Sequence, residues 1–406
     1  MEPDIQKSEK GIRGKGDNTA SLLKKLLDIA FGYSFSTAIW RLPNQKAVHL
    51  LIDTGRYQKI SEIDLERMSK GFLFCPFDTG EKVFIRSDIH FESDKPDIAV
   101  AGNVSASTKL KLDKLYGQDT VHELNATYFT DNGSAPVNET THKEYLRVVE
   151  ASIAAIHNNV FEKVVPSRIK EIKFHTKFSV VDNFIKLTNA YPRTFVFFVS
   201  IPGIGSWMGA TPEALIEIED GRTFRTVSLA GTQKYHEGII TSEVAWTQKD
   251  IEEQAMVSRY IINCFKKIRL REFVEHGPKT VIAGNLMHLK TTYEVDLHDT
   301  GFSNLGTVML QLLHPTSAVC GMPKDASSKF LDTHESHNRK YYSGFLGPVD
   351  NHINTHIFVN IRSMELFEDR AVLYAGSGIT EDSNPEKEWL ETEMKCNTLL
   401  NVIRSS

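Results

Sequence analysis

The chain has 406 residues, with 47 Lys and Arg against 52 Asp and Glu, a formal net charge of −5, and 41 % apolar and 24 % charged residues. That composition is globular and excludes general disorder, collagen-like repeats and low-complexity sequence. The mild acidity gives no overall attraction to nucleic acid or to an anionic membrane. The longest apolar run, Thr194 to Ile201, falls far short of the ~18 residues a membrane span needs, and residues 1–20 lack the apolar centre of a signal peptide. Cys75, Cys264, Cys320 and Cys396 are widely spaced and form no CxxC pair. Free thiols in a reducing, cytoplasmic compartment are therefore expected.

In chain order, residues 1–20 read as a disordered tail and 21–406 as a single domain. Residues 21–120 read mostly as strand, with a hairpin of Thr37–Leu42 and Ala47–Asp53 about the Pro43-Asn44 turn. Residues 121–140 read as a polar surface loop. Thr141 and Glu144 form a T-x-x-E capping box that starts a helix, with Tyr145, Val149, Ile153 and Ile156 on one face and an end near Asn158. Glu162–Val165, Thr194–Ile201 and Ala214–Ile218 follow as strands. Residues 239–276 hold no Gly before Gly277 and no Pro, and Met256, Tyr260, Cys264 and Ile268 recur every four residues, so one long amphipathic helix is expected there. The last helix begins with Asn384 as N-cap and Pro385 at the first helical position. Interspersed strands and helices point to one large α/β or α+β unit.

Several charged residues suggest chemistry, each against a plainer reading. Glu388, Glu391 and Lys395 share one stripe of the last helix. Two carboxylates a turn apart suit a hard cation such as Mg²⁺, and the same spacing gives a solvated Glu391–Lys395 pair. Asp250, Glu252 and Glu253 are either a second acidic contribution to such a site or the usual acidic first turns of a helix. Glu213, after the Gly209-Ala210-Thr211-Pro212 turn, would be a general acid if desolvated and a surface acid otherwise. Lys163 on its short strand would be a general base if it faced a cation, or else a solvent-facing lysine. Gly203-Ile204-Gly205-Ser206-Trp207-Met208-Gly209 misses the dinucleotide fingerprint by one residue and precedes no helix.

The chain from about 140 to 402 resembles the chorismate-binding enzymes, through many blocks in one order. These are Phe161–Val165, Gly209–Glu213, Leu229–Thr232, Lys249–Gln254, His288-Leu289, Leu313–Pro323, Glu335-x-x-x-Arg339-x-x-Tyr342-x-Gly344, Asn360-Ile361-Arg362, Leu373–Ile379 and Glu388-Trp389-x-Glu391-Thr392-x-x-Lys395. Within the family the His314–Pro323 block is most similar to the isochorismate synthases. Gln254 stands where many members carry His.

The resemblance implies an α+β fold of large antiparallel sheets stacked face to face, with outer helices and a deep cleft. It implies an isomerase that binds chorismate with its ring carboxylate on Mg²⁺, held by Glu253, Glu391 and, through water, Glu388. Lys163 would activate the water that attacks C2, and Glu213 would protonate the hydroxyl leaving C4. Tyr342, Arg362 and Lys395 would bind carboxylate, backbone at Ala230, Gly231, Thr232, Gly376 and Gly378 would approach the substrate, and His288 would lie near the reacting face. The product would serve menaquinone or siderophore biosynthesis, and a monomer with no glutaminase partner is expected. Salicylate synthesis and ammonia-dependent anthranilate or aminodeoxychorismate synthesis are the sister activities. A non-catalytic chorismate-binding protein is disfavoured because Lys163, Glu213, Glu253 and Glu391 are all present.

Overall fold

The computed structural model describes residues 12–13, 19–55, 57–78, 80–95, 97–116, 128–130, 138–283, 285–350 and 353–403. Its centre is the apolar run Phe195–Ile201, which is buried at every position because both faces of that strand are covered. Phe195, Phe197, Val199 and Ile201 point into one core and Val196 and Phe198 into another, as a side-chain period of two requires.

That strand lies inside a ten-stranded antiparallel sheet. In spatial order the strands are Ile12–Arg13, Asp97–Val100, Ile89–Glu92, His49–Asp53, Ser36–Arg41, Phe195–Ile201, Gly205–Thr211, Ser363–Leu366, Arg370–Gly376 and Ser167–Lys173. A second antiparallel sheet has nine strands: Val274–Ala283, Leu286–Asp296, Thr223–Lys234, Ala214–Glu219, Asn354–Val359, Phe345–Asp350, Gly71–Cys75, Val83–Arg86 and Gln58–Lys59. The inner faces meet in an aromatic layer that includes Trp40, Phe72, Phe74, Phe195, Phe197, Trp207 and Phe358. Phe195 and Phe358 stack across it with centroids 4.1 Å apart. The outer faces are covered by helices, so the stacked-sheet architecture implied by the resemblance is present.

Two helices carry the candidate carboxylates. Gln248–Lys267 starts at a reciprocal Thr247/Asp250 capping box and buries Val257, Ile261, Cys264 and Phe265 on the outside of the nine-stranded sheet. Pro385–Ile403 begins after Asn384, whose Oδ1 accepts from the Lys387 N–H, and buries Cys396, Leu399, Leu400 and Ile403 on the outside of the ten-stranded sheet. Each cap fixes where its helix starts and hence which residues reach the seam between the sheets.

Several expectations are corrected. The long helix does not span 239–276: its cap fixes the start, Arg269 takes a positive φ of 60° just past its end, and Val274 opens a strand. Segment 21–120 also contains helices Thr19–Gly32 and Ala106–Tyr116. Within 1–20, Ile12–Arg13 pairs with Asp97 and Ile98 as an edge strand, and the rest of the tail before Thr19 lies outside the described residues. Most of 121–140 lies outside them too. Gly209–Thr211 is strand, not turn. The hairpin at Pro43-Asn44 and the helix after Thr141 form as expected.

Gly347 sits in the inner strand Phe345–Asp350 with φ 152°, where a Cβ would collide with the His356 carbonyl oxygen. That oxygen belongs to the paired strand Asn354–Val359, whose backbone cannot move aside. Gly347→Ala is expected to lower stability by on the order of 3 kcal/mol in urea unfolding, whereas Gly102→Ala, with open space around it, should shift it by less than about 0.5 kcal/mol.

Candidate active site

A cleft opens between the sheets, and twelve of the fourteen residues expected from the sequence line it: Glu213, Ala230, Gly231, Thr232, Glu253, His288, Tyr342, Arg362, Gly376, Gly378, Glu391 and Lys395. Lys163 and Glu388 stand behind this wall. Lys163 is 0 % exposed, so it is not a solvent-facing lysine. It belongs to the two-residue strand Lys163–Val164, which pairs with Gly321–Met322. Its Nζ donates to Glu253 Oε1 at 2.7 Å. Gly378 makes that pair possible, because a Cβ there would collide with Glu253 Oε1 and press on Lys163 Cε.

Each of the three expected metal ligands has its own lysine. Glu253 pairs with Lys163, Glu391 with Lys395 at 2.7 Å, and Glu388 with Lys249. Lys395 also donates to the Gly376 carbonyl at 2.7 Å. Burial alone would push Glu253 up, but the Lys163, Lys249 and Lys395 charges outweigh it and hold Glu253 below the usual carboxylate range. Glu388 is raised, first by burial and then by the nearby Glu391 charge. One of its oxygens, Oε2, is buried without a hydrogen-bond partner. The three carboxylates do not bring one oxygen each within 4.8 Å of one another. An orphaned buried carboxylate oxygen beside two further carboxylates is a donor set that fits a hard divalent cation, with the lysines acting as counter-charges in its absence.

Glu213, also in the cleft lining, follows the strand Gly205–Thr211, and its carbonyl accepts from the Val359 N–H. Burial raises its carboxyl to about 7, against the downward pull of Lys163, Arg362 and Lys395. It is therefore half protonated near neutral pH, as a general acid requires. His288 is lowered to about 3 by burial and by Arg362. The neutral ring donates from Nδ1 to the Gly231 carbonyl at 2.6 Å and accepts on Nε2 from Arg362 Nη2 at 3.4 Å. Gly231, at φ 69°, lies in the bulge that interrupts pairing between Ala230 and Gln233, which turns backbone groups into the cleft. Arg362 is buried and has no carboxylate within ion-pairing distance among the described residues. Tyr342 stacks on Tyr374, with centroids 5.3 Å apart.

Tyr374 and Lys249 were not singled out from the sequence. Lys249 immediately precedes the acidic cluster, the one signal that marks it. Within that cluster Asp250 caps the helix and Glu252 binds Gln248 at the surface, so only Glu253 faces the cleft. Gln254 points away from it, donating to Thr291 Oγ1 at 3.0 Å.

A sequence model described as chorismate binding enzyme matches residues 79–404. The chain belongs to the chorismate binding enzyme family. Among curated relatives it is 29 % identical over 250 residues to the isochorismate synthase EntC of Escherichia coli K12, covering 60 % of this chain and 62 % of that relative's length. It is 25 % identical over 269 residues to the vibriobactin-specific isochorismate synthase of Vibrio cholerae, covering 65 % and 67 % of the two. Its fold matches the menaquinone-specific isochorismate synthase MenF of Escherichia coli with a TM-score of 0.76 at 18 % identity, over 96 % of this chain and 92 % of that one. Anthranilate synthase component I of Streptococcus pneumoniae matches with a TM-score of 0.66 at 17 % identity, over 97 % and 95 %. No helix among the described residues is long and apolar enough to cross a membrane, and all four cysteines are free and buried.

Glu213 links the site to stability. Between its ordinary value near 4.5 and its folded value of about 7, the unfolded chain releases the proton while the folded chain keeps it. Stability contributed by this group is thus lost as pH rises through that window. Replacing it by Gln removes the loss. The stability of Glu213→Gln relative to the parent should rise by on the order of 2 kcal/mol between about pH 5 and pH 8, measured by denaturant unfolding at both.

Proposed function

We propose that this chain is an isochorismate synthase that moves the hydroxyl of chorismate from C4 to C2. The observation that carries this reading is a half-protonated buried carboxyl, Glu213, lining the same cleft as Glu253, the partner of the buried Lys163, beside a guanidinium that has no ion-paired carboxylate among the described residues. Chorismate is a dianion, so its site needs positive charge. Arg362 offers the two-pronged donor that a carboxylate prefers, with Tyr342 and Lys395 beside it.

Glu253, Glu391 and Glu388 would hold the cation, and three oxygen donors suit Mg²⁺. When bound, it would anchor the ring carboxylate and offset the charge of the three glutamates. The protein's own residues supply the proton transfers. Lys163, acting as the neutral amine once a cation rather than the lysine meets the charge of Glu253, takes a proton from the water that forms the new C2–O bond. The ring double bonds shift, and the C4–O bond breaks as Glu213 delivers its proton to the departing hydroxyl. One water enters and one leaves, and both groups return to their starting protonation through solvent. His288, held neutral, adds no competing proton and keeps Arg362 aimed. The nucleophile is water, so no ammonia source or glutaminase is needed. Four free, buried cysteines fit a reducing, cytoplasmic compartment. The chain is similar to both a vibriobactin-specific and a menaquinone-specific isochorismate synthase, and isochorismate serves either route.

Incubation with chorismate and Mg²⁺, followed by chromatography and NMR, should give isochorismate with no salicylate and no change on adding ammonium. Salicylate with pyruvate, or an aminated product, would move the chain to a sister activity. Lys163→Ala and Glu213→Gln should each lower kcat by at least about 10²-fold while calorimetry still detects Mg²⁺ binding. Near-normal turnover in either variant would refute the acid and base assignments.

A further inference from the structure

A second cluster of ligating side chains lies outside the cleft. His49 opposes Glu92 and Leu51 opposes His90 in the pairing of His49–Asp53 with Ile89–Glu92. All three polar side chains therefore fall on one face, the one that carries Leu51 and Trp40 into the layer between the sheets. We infer that His49, His90 and Glu92 form a binding site for a first-row transition-metal dication of the zinc type, bridging two strands of the ten-stranded sheet.

The geometry supplies the argument. His49 Nδ1 and His90 Nε2 are 3.4 Å apart, and His49 Nδ1 and Glu92 Oε2 are 4.0 Å apart. One ligand atom from each residue lies within 4.8 Å of the other two. A tetrahedral zinc ion with bonds of about 2.0–2.1 Å keeps its ligand atoms roughly 3.4 Å apart. The two nitrogens already have that spacing, and the carboxylate needs to close by roughly 0.6 Å toward His49 and lies within 4.8 Å of His90. Two imidazoles and one carboxylate match a borderline cation and not Mg²⁺. Both rings are lowered, each first by burial, with Lys70 and Lys95 adding to it and Glu92 and Asp94 opposing it at His49. Neutral imidazole is the form that ligates, and each ring can carry its N–H on the nitrogen that faces away. The Trp40 indole stacks on His49 at 5.1 Å and lies parallel to His90 at 6.3 Å, which fixes the ring planes. Three protein ligands leave a fourth position for water or an anion.

The competitor is also visible. Lys95 Nζ sits 2.6 Å from Glu92 Oε2, on an exposed side chain, so its ammonium contends with the cation for the carboxylate. That gives the test a variant that gains binding. Tag-free full-length protein, stripped with chelator and then saturated with Mg²⁺ to fill the cleft glutamates, is titrated with Zn²⁺ by calorimetry. One Zn²⁺ per chain is expected. His90→Gln should weaken it about tenfold or more, Lys95→Met should tighten it several-fold, and Glu388→Gln should leave it unchanged. Circular dichroism checks that each variant is folded, and Lys95→Met removes an exposed charge without touching the core. Absence of saturable Zn²⁺ binding, binding unaltered in His90→Gln, or loss of the Zn²⁺ in Glu388→Gln would overturn the inference.

Discussion

The ion pair between Lys163 and Glu253 is the constraint around which the site is built. Taking a lysine wholly out of water costs several kcal/mol, even after relaxation, unless a partner carboxylate meets it. Meeting it here requires a strand from one part of the chain, a helix that starts 84 residues later at Thr247, and a glycine at 378 that leaves room for both. The Thr247/Asp250 cap sets where that helix begins, and the apolar face of Val257, Ile261 and Phe265 holds it against the sheet. The same logic repeats at Glu388 with Lys249 and at Glu391 with Lys395. Three buried or half-buried carboxylates are tolerable only because three lysines neutralise them. A bound dication could take over that task and release the lysines.

Burial divides the remaining charges into roles. Glu213 lies deep enough to keep its proton to about pH 7, while Glu253, at a less deeply buried position, stays ionised because the charges of Lys163, Lys249 and Lys395 outweigh its desolvation. Two glutamates in one cleft thus differ by environment alone. Arg362 has no ion-paired carboxylate among the described residues, and its neighbour His288 is a neutral acceptor. The stacked sheets make this possible by excluding water from the seam, and the aromatic layer beside it holds the two walls at a fixed spacing.

The sequence carried the strands and caps well where the signal was local. Thr141 with Glu144 and Asn384 with Pro385 mark real helix starts, because capping depends on residues three or four apart. The 239–276 helix was overextended because its true ends are a cap at Thr247 and a positive φ at Arg269, neither of which disturbs a four-residue apolar repeat. Helix Thr19–Gly32 escaped notice because Leu23, Leu26, Leu27 and Ala30 give it an apolar face that only the outer core of the first sheet makes sense of. Spacing alone left Lys163 and Glu213 open between a site and the surface, since their burial comes from distant parts of the chain. Ordered family motifs pointed to them where periodicity had no signal to offer. The lysine partners of the carboxylates and the His49–His90 contact were illegible for the same reason: a sheet register, not a sequence interval, brings them together.

In the proposed reaction Lys163 activates a water molecule while Glu213 protonates the departing hydroxyl. Turnover of chorismate in ¹⁸O-labelled water, stopped at low conversion and read by mass spectrometry and NMR, separates water attack from migration of the substrate's own oxygen. Water attack places one labelled oxygen in each isochorismate, on C2. Unlabelled isochorismate would mean that the substrate's own hydroxyl migrates, and the roles given to Lys163 and Glu213 would be contradicted.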